Sequence, residues 1–259
     1  MPVQWAATTH PGIRRTSNED AYCSRPDLGL FIVADGMGGH VAGEVASKIA
    51  VDAIEAFVGE TAGDASEDSG VTWPFPVDPT LGVDGSRLKS AFHLANRRLA
   101  DEVAAAVDLR GMATTASTVL LKDERLAMLA HVGDSRIYLF RDNELERMTN
   151  DHSWVEEQMR AGLLSPLEAR QHPWRNVVTR ALSGGEDPEV DVKEVALLPG
   201  DRLLLCSDGL SSVVTDERIE EILRAQPVPT EACQALVDEA NGAGGPDNVT
   251  TLILQIDAP

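Results

Sequence analysis

Four β-rich segments separated by short turns occupy the stretch from Ser117 to Thr149, and this pattern limits the possible folds more than any other. The turns lie at Lys122–Glu124, Gly133–Ser135 and Asp142–Asn143. Parallel neighbouring strands need a long crossover connection, whereas antiparallel neighbours can be joined by a tight turn. The pattern therefore predicts antiparallel hairpins in the middle of the chain.

The spacing of apolar residues predicts further strands and two long helices. Short apolar runs predict buried strands at Gly29–Ala34, Arg202–Cys206 and Val249–Ile256. Apolar residues at helical spacing predict helices over Ala42–Val58 and Leu88–Val107. Because helices and antiparallel strands both occur, a sheet packed against helices is expected.

Local signals predict where the shorter helices begin. Capping-box patterns start at Ser153 and Ser165, and Thr215 and Thr230 are the expected N-caps of two helices near the C-terminus. Residues 59–87 contain many Gly, Pro, Asp and Ser residues without any period, which predicts a long loop insertion. The length of 259 residues is compatible with a single domain spanning residues 1–259.

Four acidic residues lie beside a glycine or in a turn, most of them next to an apolar run. They are Asp35, Asp134, Asp208 and Asp247, and the clearest example is "LFIVADGMGGHVAG". Any one of them could simply begin a turn, because an Asp side chain can bond nearby backbone N–H groups. If the strand ends converge, the carboxylates repel one another, and a divalent cation removes that conflict. Oxygen ligands favour Mg²⁺ or Mn²⁺ over a zinc site with soft ligands.

The glycines after Asp35 have a function in this interpretation. Glycine lacks a Cβ, so the backbone can approach an ion closely, and the Gly36 carbonyl becomes a candidate ligand. The helix predicted after Gly43 would direct its positive N-terminal dipole towards an anion. A second cluster, "GIRRTSNEDAY", combines two arginines with Glu19 and Asp20. It is either a solvated loop or, near a metal cluster, a clamp for a phosphate group.

The charge balance excludes some classes of partner. The chain has 22 Lys and Arg against 42 Asp and Glu, a formal net charge of −20. Phosphate backbones and anionic lipid surfaces repel such a protein, so neither nucleic-acid binding nor membrane insertion is expected. The three cysteines, Cys23, Cys206 and Cys233, lie far apart in the sequence and form no C-x-x-C pattern. Free thiols in a reducing cytoplasm are therefore expected.

Several motifs together resemble one known family. "GIRRTSNED", "VADGMGGH", "GDSR", "LLCSDGL" and "GPDNVT" occur in the order seen in bacterial metal-dependent protein serine/threonine phosphatases, the protein phosphatase 2C family. "DHS" at Asp151–Ser153 also fits. The resemblance implies an α+β fold: a four-layer α-β-β-α sandwich in which helices flank two central antiparallel β-sheets. It also implies that residues 150–183 form a variable flap near the site.

The resemblance implies a role for each matching residue. Asp35 would bridge two Mn²⁺ or Mg²⁺ ions, and Asp208 and Asp247 would hold the first of them. The second ion would use the Gly36 carbonyl and, through water, Glu19 and Asp20. A third ion is expected at Asp134 and Asp208, with the backbone of Asn176. Arg15 matches the phosphate-binding arginine of the family, whereas Arg14 does not.

The activity implied by the resemblance is hydrolysis of phosphoserine and phosphothreonine by direct attack of a hydroxide shared by two ions. The expected partners are phosphorylated proteins, including serine/threonine kinases and their targets. Met37 stands where animal members carry a histidine, which leaves His40 or a water as the proton donor. Two alternatives stay open: a two-metal hydrolase of other phosphomonoesters, and a non-catalytic phosphoprotein-binding module. The second alternative would be marked by a missing metal ligand or clamp arginine, and none is missing.

Overall fold

Two antiparallel β-sheets lie face to face in the computed structural model of the chain, which describes residues 3–38, 41–63, 73–75, 77–123 and 125–257. The strands are β1 Val3–His10, β2 Asp20–Arg25, β3 Leu30–Met37, β4 Ala113–Thr114, β5 Ala116–Asp123, β6 Leu126–Val132, β7 Arg136–Arg141, β8 Glu144–Arg147, β9 Asp191–Ala196, β10 Arg202–Cys206 and β11 Val249–Ile256. The helices are α1 Val41–Thr61, α2 Gly82–Ala105, α3 Trp154–Arg160, α4 Pro166–Gln171, α5 Asp208–Ser211, α6 Asp216–Ala225 and α7 Pro229–Gly242.

Each sheet contributes one inner face and one helix-covered face. The first sheet has the order β1-β11-β10-β7-β8, and the second has the order β2-β3-β5-β6-β9 with β4 paired to β3. Helices α1 and α2 pack on the second sheet, and α6 and α7 pack on the first. The predicted four-layer α-β-β-α sandwich is therefore confirmed.

Strand β3 shows why the central strands are apolar runs without alternation. Its side chains point alternately to the two faces. Leu30, Ile32 and Ala34 pack against α1 and α2, whereas Phe31 and Val33 enter the core between the sheets. Because both faces are buried there, every position from Leu30 to Ala34 is apolar. The prediction of buried strands here and at β10 and β11 is confirmed.

The turn at Gly133–Ser135 does not form a hairpin, contrary to the prediction. Strand β6 pairs with β5 and β9, whereas β7 pairs with β10 and β8 in the other sheet. The chain therefore crosses between the sheets over three residues. Gly133 makes this possible because its φ is +110°, and a Cβ there would lie 2.5 Å from the Thr115 side chain. The crossing places Asp134 at the edge of the sandwich.

The predicted loop over 59–87 is shorter in the structure, because α1 continues to Thr61 and α2 begins at Gly82. Residues 64–72 and 76 of this stretch lie outside the described residues. The first turns of α2 are held by polar contacts, which an apolar pattern cannot show. Arg87 is buried and donates to the backbone oxygen of Thr61 at 3.0 Å and to its Oγ1 at 3.1 Å.

Three of the four predicted caps are confirmed. Ser153, Ser165 and Thr215 are N-caps, and Ser165 forms the complete capping box with Glu168. Thr230 is not a cap, because α7 begins one residue earlier at Pro229, which is favoured in the first turn of a helix. Within the part of the chain that the structure describes, no helix combines the length and the apolar character needed to cross a bilayer.

Candidate metal centre

Five aspartates meet at one edge of the sandwich. Asp20 begins β2 and lies directly opposite Asp35 of β3 in the register of the second sheet. Asp35 is not past the end of its strand as predicted, because β3 continues to Met37 and pairs with β4. Asp134 lies in the crossing between β6 and β7, Asp208 begins α5, and Asp247 precedes β11.

The pKa values of these groups reflect how close their charges lie to one another. Burial raises the pKa of Asp35 well above its usual value, and the charges of Asp20, Asp208, Asp134 and Asp247 raise it further. Burial likewise raises the pKa of Asp208 to about 6, with a further contribution from Asp247. The structure therefore brings together the acids that the sequence assigned to one centre.

Asp20 gives the most direct evidence that the centre suits a cation. Its Oδ2 accepts hydrogen bonds from Ser207 Oγ at 2.7 Å and Thr250 Oγ1 at 2.6 Å. Its Oδ1 is buried and has no hydrogen-bond partner among the described residues. Burial raises the pKa of Asp20 to about 7, and Asp208 and Asp247 add to the rise. A buried carboxylate oxygen without a partner is costly, so a cation fits this position.

The donor set is suited to Mg²⁺ or Mn²⁺. It consists of carboxylate and backbone carbonyl oxygens, which hard divalent cations prefer. Burial also raises the pKa of Asp134 well above its usual value, with Asp208 as the next cause. The described residues contain no group of three or more His, Cys, Asp or Glu side chains set around a metal position. Backbone carbonyls and water would therefore have to complete the coordination of a bound cation.

Two glycines allow the segments around Asp35 to meet. A Cβ on Gly36 would lie 2.0 Å from the carbonyl oxygen of Gly43 and 2.6 Å from that of Glu19. A Cβ on Gly43 would lie 1.9 Å from Glu19 Oε2, so the Glu19 carboxylate lies against the first turn of α1. Gly36 N donates to the Glu19 carbonyl at 3.2 Å. The glycines thus bring β3, Glu19 and α1 into direct contact.

The position of Arg15 combines exposure with an acidic neighbour. Its Nη2 lies 2.8 Å from Asp247 Oδ2, and its side chain is 52% exposed. It can therefore reach a solvent-borne anion next to a candidate metal ligand. His40, the other candidate for a role near the reaction, lies outside the described residues.

Asn176 lies within residues 150–183, the segment predicted to form a flap, and on the same cavity as two of the candidate metal ligands. It is exposed, and it lines a cavity of about 570 Å³ together with Asp134 and Asp208. The flap returns to the body of the protein at Ser183 and Gly184, whose backbone N–H groups donate to Asn96 Oδ1 at 3.0 and 2.9 Å. The three residues expected around a third ion thus share one cavity.

Sequence reasoning missed the residues that hold the ligands in place. Asn248 is buried, accepts from Glu19 N at 2.8 Å, and donates to the carbonyls of Pro11 at 2.9 Å and Ser17 at 2.8 Å. Thr115 Oγ1 accepts from Asp35 N at 3.0 Å. These partners are far apart in the sequence. The only local signal was the position of Asn248 directly after Asp247.

We expect Asn248→Ala to lower the free energy of unfolding by about 2–4 kcal/mol, because three backbone groups lose a buried partner. Urea melts of the metal-free protein measure this loss. Gln234→Ala is the control, since it removes one exposed side-chain hydrogen bond on α7 and should have little effect. Equal effects of the two substitutions would contradict the role given to Asn248.

The fold and the acidic edge together define a sandwich protein with a divalent-cation centre. The family model described as protein phosphatase 2C matches residues 13–240, and the chain belongs to this family. The serine/threonine protein phosphatase PstP of Mycobacterium tuberculosis is 38% identical over 257 residues, 99% of this chain and 45% of that protein. The serine/threonine phosphatase stp of Listeria monocytogenes is 34% identical over 252 residues, 96% and 94% of the two chains.

Solved structures agree with this assignment. The crystal structure of Mycobacterium tuberculosis PstP/Ppp superposes with a TM-score of 0.84 at 36% identity and covers 99% of both chains. The catalytic domain of PstP in complex with two manganese ions gives a TM-score of 0.80 at 34% identity, with 99% of both chains covered. The chain spans about half the length of the Mycobacterium relative and nearly all of the Listeria one.

Proposed function

We propose that this chain is a Mn²⁺- or Mg²⁺-dependent protein phosphatase that hydrolyses phosphoserine and phosphothreonine in proteins. The observation that carries the proposal is the cluster of half-buried aspartates, in which Asp20, Asp35 and Asp208 have raised pKa values and Asp20 Oδ1 is buried without a partner among the described residues. Membership of the protein phosphatase 2C family and the two manganese ions of the PstP catalytic domain support it.

We assign the candidate ligands to two core ions and a third ion. Asp35 is placed between the two core ions, with Asp208 and Asp247 on the first. The Gly36 carbonyl, Glu19 and Asp20 are placed on the second, the last two through water. Asp134, Asp208 and the Asn176 backbone are placed on the third, which the cavity that all three line supports.

When bound, these ions would lower the pKa of a coordinated water and draw charge from the phosphoryl oxygens. The chain itself binds and orients the substrate. Arg15 donates charge-assisted hydrogen bonds to the phosphoryl group, because its guanidinium is exposed beside Asp247. Ser207 and Thr250 fix the Asp20 carboxylate through its Oδ2, and its Oδ1 has no hydrogen-bond partner among the described residues. Met37 has no proton to donate, so the proton for the leaving oxygen would come from His40 or from a water.

The expected substrates are phosphorylated proteins, and we propose that they include a serine/threonine kinase and its targets. The Mycobacterium and Listeria relatives are named serine/threonine phosphatases, which supports this class of substrate. We also propose a cytoplasmic location. Its support is that Cys23, Cys206 and Cys233 are free, buried thiols, as a reducing compartment favours.

A phosphate-release assay on matched phosphoserine, phosphothreonine and phosphotyrosine peptides tests the proposed function. We expect hydrolysis of the first two in Mn²⁺ and no turnover after exhaustive chelation, with activity restored by added Mn²⁺. Full activity in chelator would overturn the proposal. Peptide binding without turnover in Mn²⁺ would instead identify a non-catalytic phosphoprotein-binding module. Faster hydrolysis of small phosphomonoesters than of any peptide would identify a different two-metal hydrolase.

Arg15→Ala should lower kcat/KM for a phosphothreonine peptide by about 10- to 150-fold, since a hydrogen bond to a charged group contributes about 1.5–3 kcal/mol. Arg14→Ala is the matched control and should have a much smaller effect. Steady-state kinetics measure kcat/KM for both variants at saturating Mn²⁺. Under this condition, a change in metal affinity caused by the loss of the Arg15–Asp247 ion pair does not affect the comparison. Equal losses at the two positions would show that the assignment of Arg15 is wrong.

A further inference from the structure

The cavity beside the metal centre is unusual in its content of arginine. It is lined by five arginines, Arg136, Arg147, Arg160, Arg170 and Arg175, and by five acids, Asp134, Asp151, Glu156, Asp208 and Asp216. The chain as a whole has 42 acidic and only 22 basic residues. Such a concentration of guanidinium groups next to the candidate reaction site therefore calls for a physical reason.

Two of the five arginines are neutralised by acids of the same cavity. Arg136 lies 2.7 Å from Asp151 and 3.6 Å from Asp216, and Arg147 lies 3.0 Å from Glu156. Arg136 and Arg147 are only 17% and 27% exposed. Asp151, Asp216 and Glu156 are thus paired, and these two arginines act as structural partners for them.

The remaining three arginines have no such partner. We call Arg160, Arg170 and Arg175 the flap arginines. All three are exposed, and in the described part of the chain their side chains form no ion pair and no hydrogen bond. Arg170 contributes, as the smallest cause, to the lowered pKa of Glu217 without forming an ion pair with it. The flap arginines therefore keep their charge available for a ligand.

The flap arginines come from three different places in the flap. Arg160 ends α3, Arg170 lies in the last turn of α4, and Arg175 follows in the loop before Asn176. The capped starts of both helices, at Ser153 and Ser165, fix the direction of each helix. Convergence on one cavity is thus a property of the folded flap and not of a local run of basic residues.

We propose that the flap arginines bind an anionic group of the phosphoprotein substrate, a few residues away from the phosphoserine or phosphothreonine that is hydrolysed. This inference rests on the proposed function and narrows its substrate class to acidic or multiply phosphorylated segments. The guanidinium fork matches carboxylates and phosphates alike. The net charge of −20 repels acidic substrates, and the three unpaired guanidinium groups of the flap would offset that repulsion locally.

The test compares three phosphothreonine peptides that differ only in their flanking residues, which are neutral, rich in Asp, or carry a second phosphothreonine. We expect the wild-type protein to have a higher kcat/KM on each of the two anionic peptides than on the neutral peptide. Each substitution Arg160→Ala, Arg170→Ala or Arg175→Ala should reduce that preference about two- to fivefold, and the triple variant should remove it. Because the preference is a ratio measured on one variant, loss of folded protein does not affect it.

Arg98→Ala is the matched control, because Arg98 is an exposed arginine of α2 outside the cavity. It should keep the preference, and 0.5 M NaCl should weaken the preference of the wild type. A triple variant that keeps the preference, or an equal loss in Arg98→Ala, would overturn the inference. A gain confined to the doubly phosphorylated peptide would identify phosphate as the bound group, whereas similar gains on both peptides identify a general anion site.

A binding experiment separates this inference from the proposed function. Fluorescence anisotropy measures a labelled Asp-rich peptide that contains no phosphate, so no turnover is required. Weaker binding by the triple variant than by Arg98→Ala supports the anion site even if no peptide is hydrolysed, a result that would overturn only the proposed function. Equal binding by both variants overturns the anion site.

Discussion

Asp35→Asn should reduce kcat on a phosphothreonine peptide by at least about 10³-fold, because the residue is proposed to lie between both core ions. The same substitution should not destabilise the metal-free protein. Asp35 is half-buried, and desolvation and the charges of Asp20, Asp208, Asp134 and Asp247 disfavour its ionised form in the fold. Asparagine has nearly the same shape and no charge. Steady-state kinetics in Mn²⁺ and thermal melts in chelator measure the two effects.

The combination of lost activity and retained or increased stability distinguishes a functional acid from a structural one. Asp52→Asn is the control, because Asp52 is an exposed acid of α1 that pairs with Lys48 at 2.5 Å. It should change neither kcat nor the melting temperature appreciably. Near-normal turnover in Asp35→Asn would remove Asp35 from the centre, and a large loss of apo stability would mean that its carboxylate holds the fold together.

The elements that could be predicted from the sequence are those whose burial leaves a pattern in adjacent residues. Strands β3, β10 and β11 are covered on both faces, so each contains a short, continuous apolar run. The apolar residues of helix α1 recur at helical spacing, so this helix could also be predicted. The start of α2 could not be found in this way, because buried Arg87 and Ser86 hold it through hydrogen bonds to Thr61 and Asp78.

The crossing from β6 to β7 was misread for a related reason. A turn of three residues has the same local signature whether it folds back within a sheet or passes to the opposite one. The difference is set by Thr115, which lies against Gly133, and by the pairing of β7 with β10, more than 60 residues later in the sequence. Such information is tertiary, so the local sequence could not contain it.

The residues of the candidate centre also fall into those that could be predicted from the sequence and those that could not. Four of the acids, Asp35, Asp134, Asp208 and Asp247, could be predicted because each lies beside an apolar run or a glycine or in a turn, whereas Asp20 was assigned through the resemblance. Asn248, Thr115 and Ser207 could not, because a polar residue within a strand or next to one becomes informative only when its distant partner is known. Their hydrogen bonds to Glu19, Asp35 and Asp20 fix how the acids are presented.

Saturating Mn²⁺ or Mg²⁺ should raise the melting temperature of the metal-free protein by roughly 5–10 °C. A ligand at about 100 times its Kd stabilises the folded state by about 2.7 kcal/mol per site, and a domain of this size gains about 2–4 °C per kcal/mol. The physical source is relief of the repulsion between clustered, half-buried carboxylates. In the unfolded chain the carboxylates are scattered, so there is no such repulsion to relieve. Asp208→Asn should show a much smaller shift, because Asp208 is assigned to two of the ion positions.

The metal-induced rise in melting temperature should also increase with pH. Asp20 and Asp208 have pKa values of about 7 and about 6 in the fold, against 3.8 ordinarily. At pH values between 3.8 and these raised pKa values, the folded metal-free protein binds protons that the unfolded chain does not. Its free energy of unfolding therefore falls as pH rises through 6 and 7. Cations replace those protons, and the metal-induced shift should therefore be larger at pH 8 than at pH 5.5. Thermal melts at both pH values, with NaCl at matched ionic strength as the control, measure it. An equal response to NaCl and MgCl₂ would show that the acids form only a solvated surface.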